Sequence, residues 1–222
     1  MRSGSGRRYS ISAGFVGLSI LASSAWSGVD PAAIESRAPT SDAKAHHTAA
    51  VNADIRRTEA ECRIPNVTLI RDDGKSVALA AELDDGRPVV LNFIYTSCTT
   101  ICPLSSQVFE QFQEDLGAQA GAVHLMSISI DPEQDTPARL RAYAAQFHAK
   151  RGWDHYSGSV ASILQVQKAF NAYRGEKMRH SPLTLLRAAA GKPWVRFDGF
   201  TRADDLMTER KSWDLPAALV AR

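Results

Sequence analysis

The chain has 222 residues, of which 44% are hydrophobic, and a formal net charge of +2 at pH 7. This length fits one domain of roughly 150–170 residues together with a tail. Acidic and basic residues alternate along the sequence, and no long basic run follows the N-terminus. The charge pattern therefore argues against a nucleic-acid partner.

The N-terminal residues 1–28 have the pattern of an export signal. Arg2, Arg7 and Arg8 precede an uncharged stretch, residues 11–25, that is apolar or small. That stretch is shorter than the roughly 20 residues of a membrane-spanning helix. We expect either a cleaved signal peptide or a retained membrane anchor. Both place the folded domain in the periplasm or another extracytoplasmic space, where cysteines meet an oxidising environment.

Residues 29–62 are predicted to be a flexible linker. They are rich in Ala, Ser, Thr, Asp and Pro and have no sustained apolar periodicity. Such a segment buries too little apolar surface to offset the entropy lost on ordering. The folded domain is therefore predicted to cover residues 63–222.

The first elements of the domain are predicted from apolar segments. Residues 67–70 and 76–83 flank Asp72-Asp73-Gly74 and predict an N-terminal hairpin. Residues 88–95 are a nearly continuous apolar run, typical of a strand buried on both faces of a sheet. A helix follows, because apolar residues recur at every fourth position over residues 104–116.

The rest of the chain continues to alternate between strands and helices. The last two predicted strands are joined at Ala190-Gly191-Lys192, so we expect them to pair antiparallel. This order predicts an α/β fold, a mixed sheet with helices on both faces and an N-terminal hairpin extension. The predicted strands are residues 122–130, 153–156, 183–186 and 194–197, and the predicted helices are residues 137–149, 160–173 and 204–213.

Cys98 and Cys102 lie four positions apart, where the buried strand gives way to the helix. Pro103 suits the first turn of a helix, which places Cys102 near a helix N-terminus. The helix macrodipole stabilises a thiolate there, so we expect a lowered pKa for Cys102. Reactive or metal-binding sulfur is favoured, and a local disulfide that closes the loop is the structural alternative.

Three motifs occur in order and resemble those of the Sco/SenC family. They are Tyr95-Thr-Ser-Cys-Thr-Thr-Ile-Cys-Pro103, Ile128-Ser-Ile-Asp-Pro-Glu-Gln-Asp-Thr-Pro137, and His180-Ser181 just before an apolar strand. The resemblance covers residues 65–213, about two-thirds of the chain. A Cys-x-x-x-Cys motif alone is weak, whereas three motifs at suitable spacing are specific.

The resemblance implies a thioredoxin-like fold in which Cys98, Cys102 and His180 bind one copper ion. It also implies that Asp135 lies near the metal loop and affects copper handling without being a ligand. The donor chemistry agrees, because thiolates select Cu(I) and imidazole accepts both Cu(I) and Cu(II). Three donors leave an incompletely coordinated ion, which suits transfer to a partner.

Two functions are compatible with these residues. The first is a copper metallochaperone that delivers copper to the dinuclear copper centre of a respiratory oxidase, or to another cuproprotein. The alternative is a thiol-disulfide oxidoreductase that keeps the cysteines of such a partner reduced, with Cys98 and Cys102 as attacking and resolving thiols. Only the first function requires His180. A peroxidase on the same fold is disfavoured, because no Pro-x-x-x-Thr-x-x-Cys pocket is evident.

Other sulfur and histidine side chains fall outside the motifs. Cys62 is an odd thiol to which the sequence assigns no role. Met178 could offer a soft thioether close to His180, but filling a gap in the core is the commoner role of methionine. The histidines without a motif are interpreted as structural: His124, His148 and His155.

Overall fold

The computed structural model describes residues 55–213. The predicted signal or anchor and all but the end of the predicted linker lie outside this range, as do residues 214–222. The described residues form one eight-stranded sheet and five α-helices. The strands are β1 (Arg56–Ala60), β2 (Thr68–Arg71), β3 (Ser76–Ala78), β4 (Val89–Ile94), β5 (His124–Ser129), β6 (Trp153–Gly158), β7 (Leu183–Arg187) and β8 (Trp194–Asp198).

The helices alternate with the strands along the chain. A 3-10 helix (Gly117–Ala122) follows the longest α-helix, and a 3-10 turn (Lys177–Arg179) lies ahead of β7. The α-helices are α1 (Leu79–Leu83), α2 (Ile101–Leu116), α3 (Pro137–Gln146), α4 (Val160–Ala169) and α5 (Ala203–Ser212).

The sheet is mixed, as the sequence predicts, and its strand order is β1-β8-β7-β4-β5-β6-β2-β3. The central strands β4, β5 and β6 are parallel, and every other pairing is antiparallel. All residues of β4 and β5 are buried, which agrees with the apolar run in β4 and with a sheet covered on both faces.

Helices cover both faces of the sheet, which confirms the predicted α/β architecture. Large side chains of α2, α3 and α5 pack against one face, among them Phe109, Leu140 and Leu206. Side chains of α1 and α4, such as Leu79 and Ile163, pack against the other. The two apolar layers hold the central strands rigidly, so the loop that leaves β4 has a fixed starting point.

The predicted N-terminal hairpin is confirmed, because β2 pairs antiparallel with β3, but two boundaries in the first part of the domain are wrong. The end of the predicted linker is strand β1, which pairs antiparallel with β8 from Arg56 to Ala60. The second strand of the hairpin, predicted over residues 76–83, stops at Ala78, and Leu79–Leu83 form α1. Leu79 and Leu83 are both buried, and their spacing of four residues places them on one side of a helix.

Candidate metal centre

Cys98 lies on the loop that leads from the carboxyl end of β4 into α2, and Cys102 lies in the first turn of α2. A backbone hydrogen bond from the Cys98 N–H to the Tyr95 carbonyl, 3.1 Å long, closes the turn after the strand. Both cysteines are free thiols. Cys98 is 6% exposed and Cys102 is 1% exposed. Both side chains are therefore shielded from solvent, Cys102 more completely than Cys98.

The backbone of the helix start stabilises the Cys98 thiolate. The Cys102 N–H donates to Cys98 Sγ at 3.4 Å, and Thr100 Oγ1 lies 3.7 Å from the same sulfur. Burial by itself raises the pKa of Cys98, but hydrogen bonds from Cys102 and Thr100 outweigh it and lower the pKa to about 7. Cys98 is thus substantially ionised near neutral pH.

Cys102 behaves in the opposite way, and the predicted lowering of its pKa is wrong. Burial raises the pKa of Cys102 far above its ordinary value, and the nearby Cys98 and Asp135 charges add to the effect. Both side chains belong to the same buried cluster, but the amide at the start of α2 donates to the Cys98 sulfur. Helix-end stabilisation therefore acts on the first cysteine of the motif and not on the second.

Asp135 fastens the loop to the neighbouring strand. Its carboxylate accepts from the Thr96 N–H at 3.0 Å and from Thr96 Oγ1 at 2.6 Å. A third hydrogen bond comes from Ser129 Oγ, at 2.6 Å. Asp135 is 1% exposed, and two of its bonds hold Thr96, two positions before Cys98. The carboxylate therefore fixes the path of the cysteine loop and leaves the sulfurs free.

His180 lies on the segment that enters β7. Because β7 runs antiparallel to β4, with Thr184 opposite Asn92, this segment passes the end of β4. His180 Nε2 lies 2.9 Å from the Phe93 carbonyl oxygen. A carbonyl can only accept, so Nε2 carries the proton and Nδ1 keeps a lone pair in the neutral ring. Burial lowers the pKa of His180, which favours this neutral form.

The predicted ligands lie on adjoining segments, but they do not form a finished three-ligand site. The two cysteine side chains contact each other. His180 contacts the end of β4 through the Phe93 carbonyl. It meets the start of the loop at the Tyr95 ring, whose centroid is 6.5 Å from that of the imidazole. Within residues 55–213, no group of three or more His, Cys, Asp or Glu side chains is arranged to hold a metal ion. A metal would have to draw the His180 segment and the loop together.

Lys177, which the sequence reasoning missed, completes the surroundings of the site together with Tyr95 and Met178. Lys177 forms an ion pair with Asp131, and its ammonium lies 5.7 Å from the centre of the Tyr95 ring. The Tyr95 hydroxyl donates to Met178 Sδ at 3.6 Å. Met178 is 76% exposed, so its expected role as a gap filler is wrong. The sequence contained one signal for these contacts, the aromatic residue Tyr95 directly before the cysteine loop.

The remaining unassigned side chains lie away from this loop. Cys62 is half-buried against the core layer that contains α1 and α4, and burial raises its pKa. His124 contacts the Tyr156 hydroxyl, and His155 is fully buried. His148 is exposed and meets Glu110. The structure places none of these histidines at the cysteine loop.

An open depression adjoins His180. Its lining includes Gln167, Arg174, Glu176 and Lys177. The imidazole is therefore reached from solvent past polar side chains.

None of the helices among residues 55–213 is long and apolar enough to cross a bilayer.

Comparison with known families gives a match over almost all of the described residues. The SCO1/SenC family profile matches residues 57–213. The SCO1 protein homologue of Bacillus subtilis is 32% identical over 155 residues, which are 65% of this chain and 79% of the relative.

Solved structures give the same result. BsSco, described as a member of the Sco family of cytochrome c oxidase assembly proteins with a disulfide switch, superposes with a TM-score of 0.59 at 28% identity. The match covers 70% of this chain and 95% of BsSco. ScoI of Bradyrhizobium japonicum, solved with copper bound, gives a TM-score of 0.56 at 27% identity, over 66% of this chain and 96% of ScoI.

Proposed function

Because the chain belongs to the SCO1/SenC family, we propose that it binds copper through Cys98, Cys102 and His180 and passes the ion to a copper protein. The receiver is the copper subunit of a respiratory oxidase or another extracytoplasmic cuproprotein. Two relatives support this proposal. BsSco is described within a family of cytochrome c oxidase assembly proteins, and ScoI of Bradyrhizobium japonicum was solved with copper bound.

The thiols supply the soft donors that Cu(I) prefers. Cys98 has a pKa of about 7, so it offers a thiolate without a large cost at neutral pH. Cys102 keeps its proton in the free protein because burial raises its pKa. A coordinating thiol is deprotonated by its metal, so copper binding releases the Cys102 proton to solvent. Tight binding and proton release are therefore coupled at the second cysteine.

His180 carries the proposal, because the tautomer of its ring suits a metal ligand. The bond from Nε2–H to the Phe93 carbonyl fixes the tautomer and leaves Nδ1 for a metal. The lowered pKa of His180 keeps the imidazole neutral, as ligation requires. A purely redox role for the two cysteines does not need this arrangement.

The test is a Cu(I) titration of the reduced protein against a chromophoric chelator. We expect one tightly held ion in the unaltered protein. Cys98→Ser, Cys102→Ser and His180→Ala should each weaken binding by on the order of 100-fold or more. His148→Ala is the matched control, since His148 is exposed and lies outside the site. Binding that is indifferent to His180→Ala would overturn the three-ligand proposal.

The difference in pKa and burial between Cys98 and Cys102 favours a second candidate function, thiol-disulfide exchange. An attacking thiol is most effective when its pKa lies near the ambient pH, which is the case for Cys98. Cys102, buried four residues away, is placed to resolve the mixed disulfide. The test is exchange with a disulfide substrate. Loss of exchange in Cys98→Ser, together with full exchange in His180→Ala, is expected for this function.

A further inference from the structure

We propose that Met178 is a transient Cu(I) ligand at the entrance of the site, through which the ion passes on its way to and from Cys98. This inference rests on the proposed copper-binding function and adds the route of transfer. It concerns a thioether outside the Cys98, Cys102 and His180 set.

Met178 is exposed to a degree that packing does not explain. It lies on the 3-10 turn between α4 and β7, two positions before His180. Its side chain is 76% exposed, more than any other large hydrophobic side chain among residues 55–213. A side chain this exposed gains little of the stabilisation that burial gives a methionine. The side chain is therefore accessible to a metal ion from solvent.

The sulfur is nevertheless held in place. The Tyr95 hydroxyl donates to Met178 Sδ at 3.6 Å. The same hydroxyl also interacts with the Cys98 side chain. Tyr95 is itself buried and fixed at the start of the cysteine loop. One hydroxyl thus contacts both the exposed thioether and the first thiol.

The chemistry of a thioether suits transfer and not storage. It is a soft, neutral donor that binds Cu(I) without losing a proton. An incoming Cu(I) forms a bond to Met178 Sδ while it leaves a donor of the partner, then forms a bond to Cys98 Sγ as the bond to Met178 breaks. Copper stays in the +1 state throughout, and the Cys102 proton leaves to solvent when that thiol binds. Delivery to a receiver follows the same steps in reverse.

The experiment compares Met178→Leu with the unaltered protein. Leucine keeps a similar size but has no donor atom. We expect transfer of Cu(I) from the loaded protein to a chelator, followed by stopped-flow absorbance, to become about tenfold slower. The equilibrium affinity for Cu(I) should stay unchanged. Met207→Leu is the matched control, because Met207 packs against the core on α5.

A second readout uses Ag(I) as a probe that mimics Cu(I) and undergoes no redox change. In protein labelled with 13C at the methionine methyl groups, Ag(I) should shift the Met178 signal and leave Met126 and Met207 in place. An unmoved Met178 signal and an unchanged transfer rate would overturn the proposal. The proposal would also be overturned if Met178→Leu lowered the equilibrium affinity for Cu(I) by the same factor as the transfer rate. Met178 would then be a permanent ligand. Absence of tight Cu(I) binding by the unaltered protein would instead overturn the proposed function.

Discussion

The two cysteines of the site are chemically unequal although they lie only four positions apart. Cys98 accepts a hydrogen bond from the first turn of α2, while Cys102 lies inside the core. The pKa of Cys98 is about 7, and that of Cys102 is raised far above its ordinary value. Any reagent that attacks thiolates therefore distinguishes them.

Alkylation with iodoacetamide should follow this difference. In a Cys62→Ser background, the rate of Cys98 labelling should rise tenfold per pH unit below about pH 7 and level off above it, because only the thiolate reacts. Cys102 should stay unlabelled in the folded protein over this range. Mass spectrometry of the two peptides measures both rates. Labelling of Cys102 ahead of Cys98 would contradict the assignment.

Asp135→Asn should destabilise the protein, since all three groups that bond to this carboxylate are donors. An amide offers one oxygen and one NH₂ group, so at least one buried donor loses its acceptor. We expect a loss of about 1–3 kcal/mol in the free energy of unfolding, measured by urea denaturation. Asp115→Asn, on the exposed side of α2, should change it little. Equal stabilities would contradict the role of Asp135 as a clamp.

The identities of the candidate site residues, but not their electrostatics, could be predicted from the sequence. The motifs place Cys98, Cys102, Asp135 and His180 on adjoining segments, and the Sco/SenC membership that they indicate is confirmed. The assignment of the low pKa to Cys102 failed because it considered helix position without side-chain burial. Burial of one side chain depends on tertiary packing, which a local motif does not encode.

At the level of strands, a row of polar side chains crosses the centre of the sheet. Asn92 on β4 pairs with Thr184 on one side and Ser127 on the other, and Ser127 pairs with His155. All four are buried. Trp153 Nε1 donates to Ser127 Oγ at 3.0 Å. Neither amide atom of Asn92 has a hydrogen-bond partner among the described residues.

Asn92→Leu should therefore stabilise the protein. The substitution keeps the number and branching of the side-chain heavy atoms and removes two unpartnered polar atoms, for an expected gain of about 1 kcal/mol. Ser127→Ala makes the contrasting change, because the Trp153 N–H loses its acceptor, and should cost about 1–2 kcal/mol. Thermal and urea unfolding measure both. A destabilising Asn92→Leu would show that a buried water completes the amide's bonds.

The predicted elements agree with the structure where burial is strong and fail where it is weak. Strands β4 and β5 could be predicted from the sequence because helices cover both faces of the sheet there. A strand buried on both faces is a continuous apolar run. β1 was missed because its sequence, Arg-Arg-Thr-Glu-Ala, has no apolar alternation and joins the sheet at an edge. Two helices end earlier than predicted, close to His148 and Asn171, whose positive φ values interrupt the helical path.

For the molecule as a whole, β1 completes one edge of the sheet. Its five residues pair with β8. Arg57 on β1 also donates to both carboxylate oxygens of Glu209 on α5, at 2.8 and 3.0 Å. Glu209 is 8% exposed. The strand thus ties the sheet edge to a helix that follows much later in the chain.

A shortened chain that begins at Arg63, the predicted start of the domain, should be less stable than one that begins at Ala53. It loses the β1–β8 ladder and leaves the Glu209 carboxylate without Arg57. We expect a loss of about 2–4 kcal/mol, seen as a lower midpoint of thermal unfolding. The chain that begins at Ala53 is the control, since it keeps β1. Equal midpoints would show that β1 contributes nothing to the stability of the sheet.

The antiparallel pairing of β7 with β4 has a consequence for biogenesis. The two thiols are neighbours in sequence, but His180 lies 78 positions after Cys102 and reaches them only when this non-local pairing has formed. Closing such a loop is slow and entropically costly. A newly made chain therefore displays both thiols well before it can offer the imidazole. If the chain is exported as its N-terminus predicts, a reductant must protect Cys98 and Cys102 during maturation, earlier than copper can.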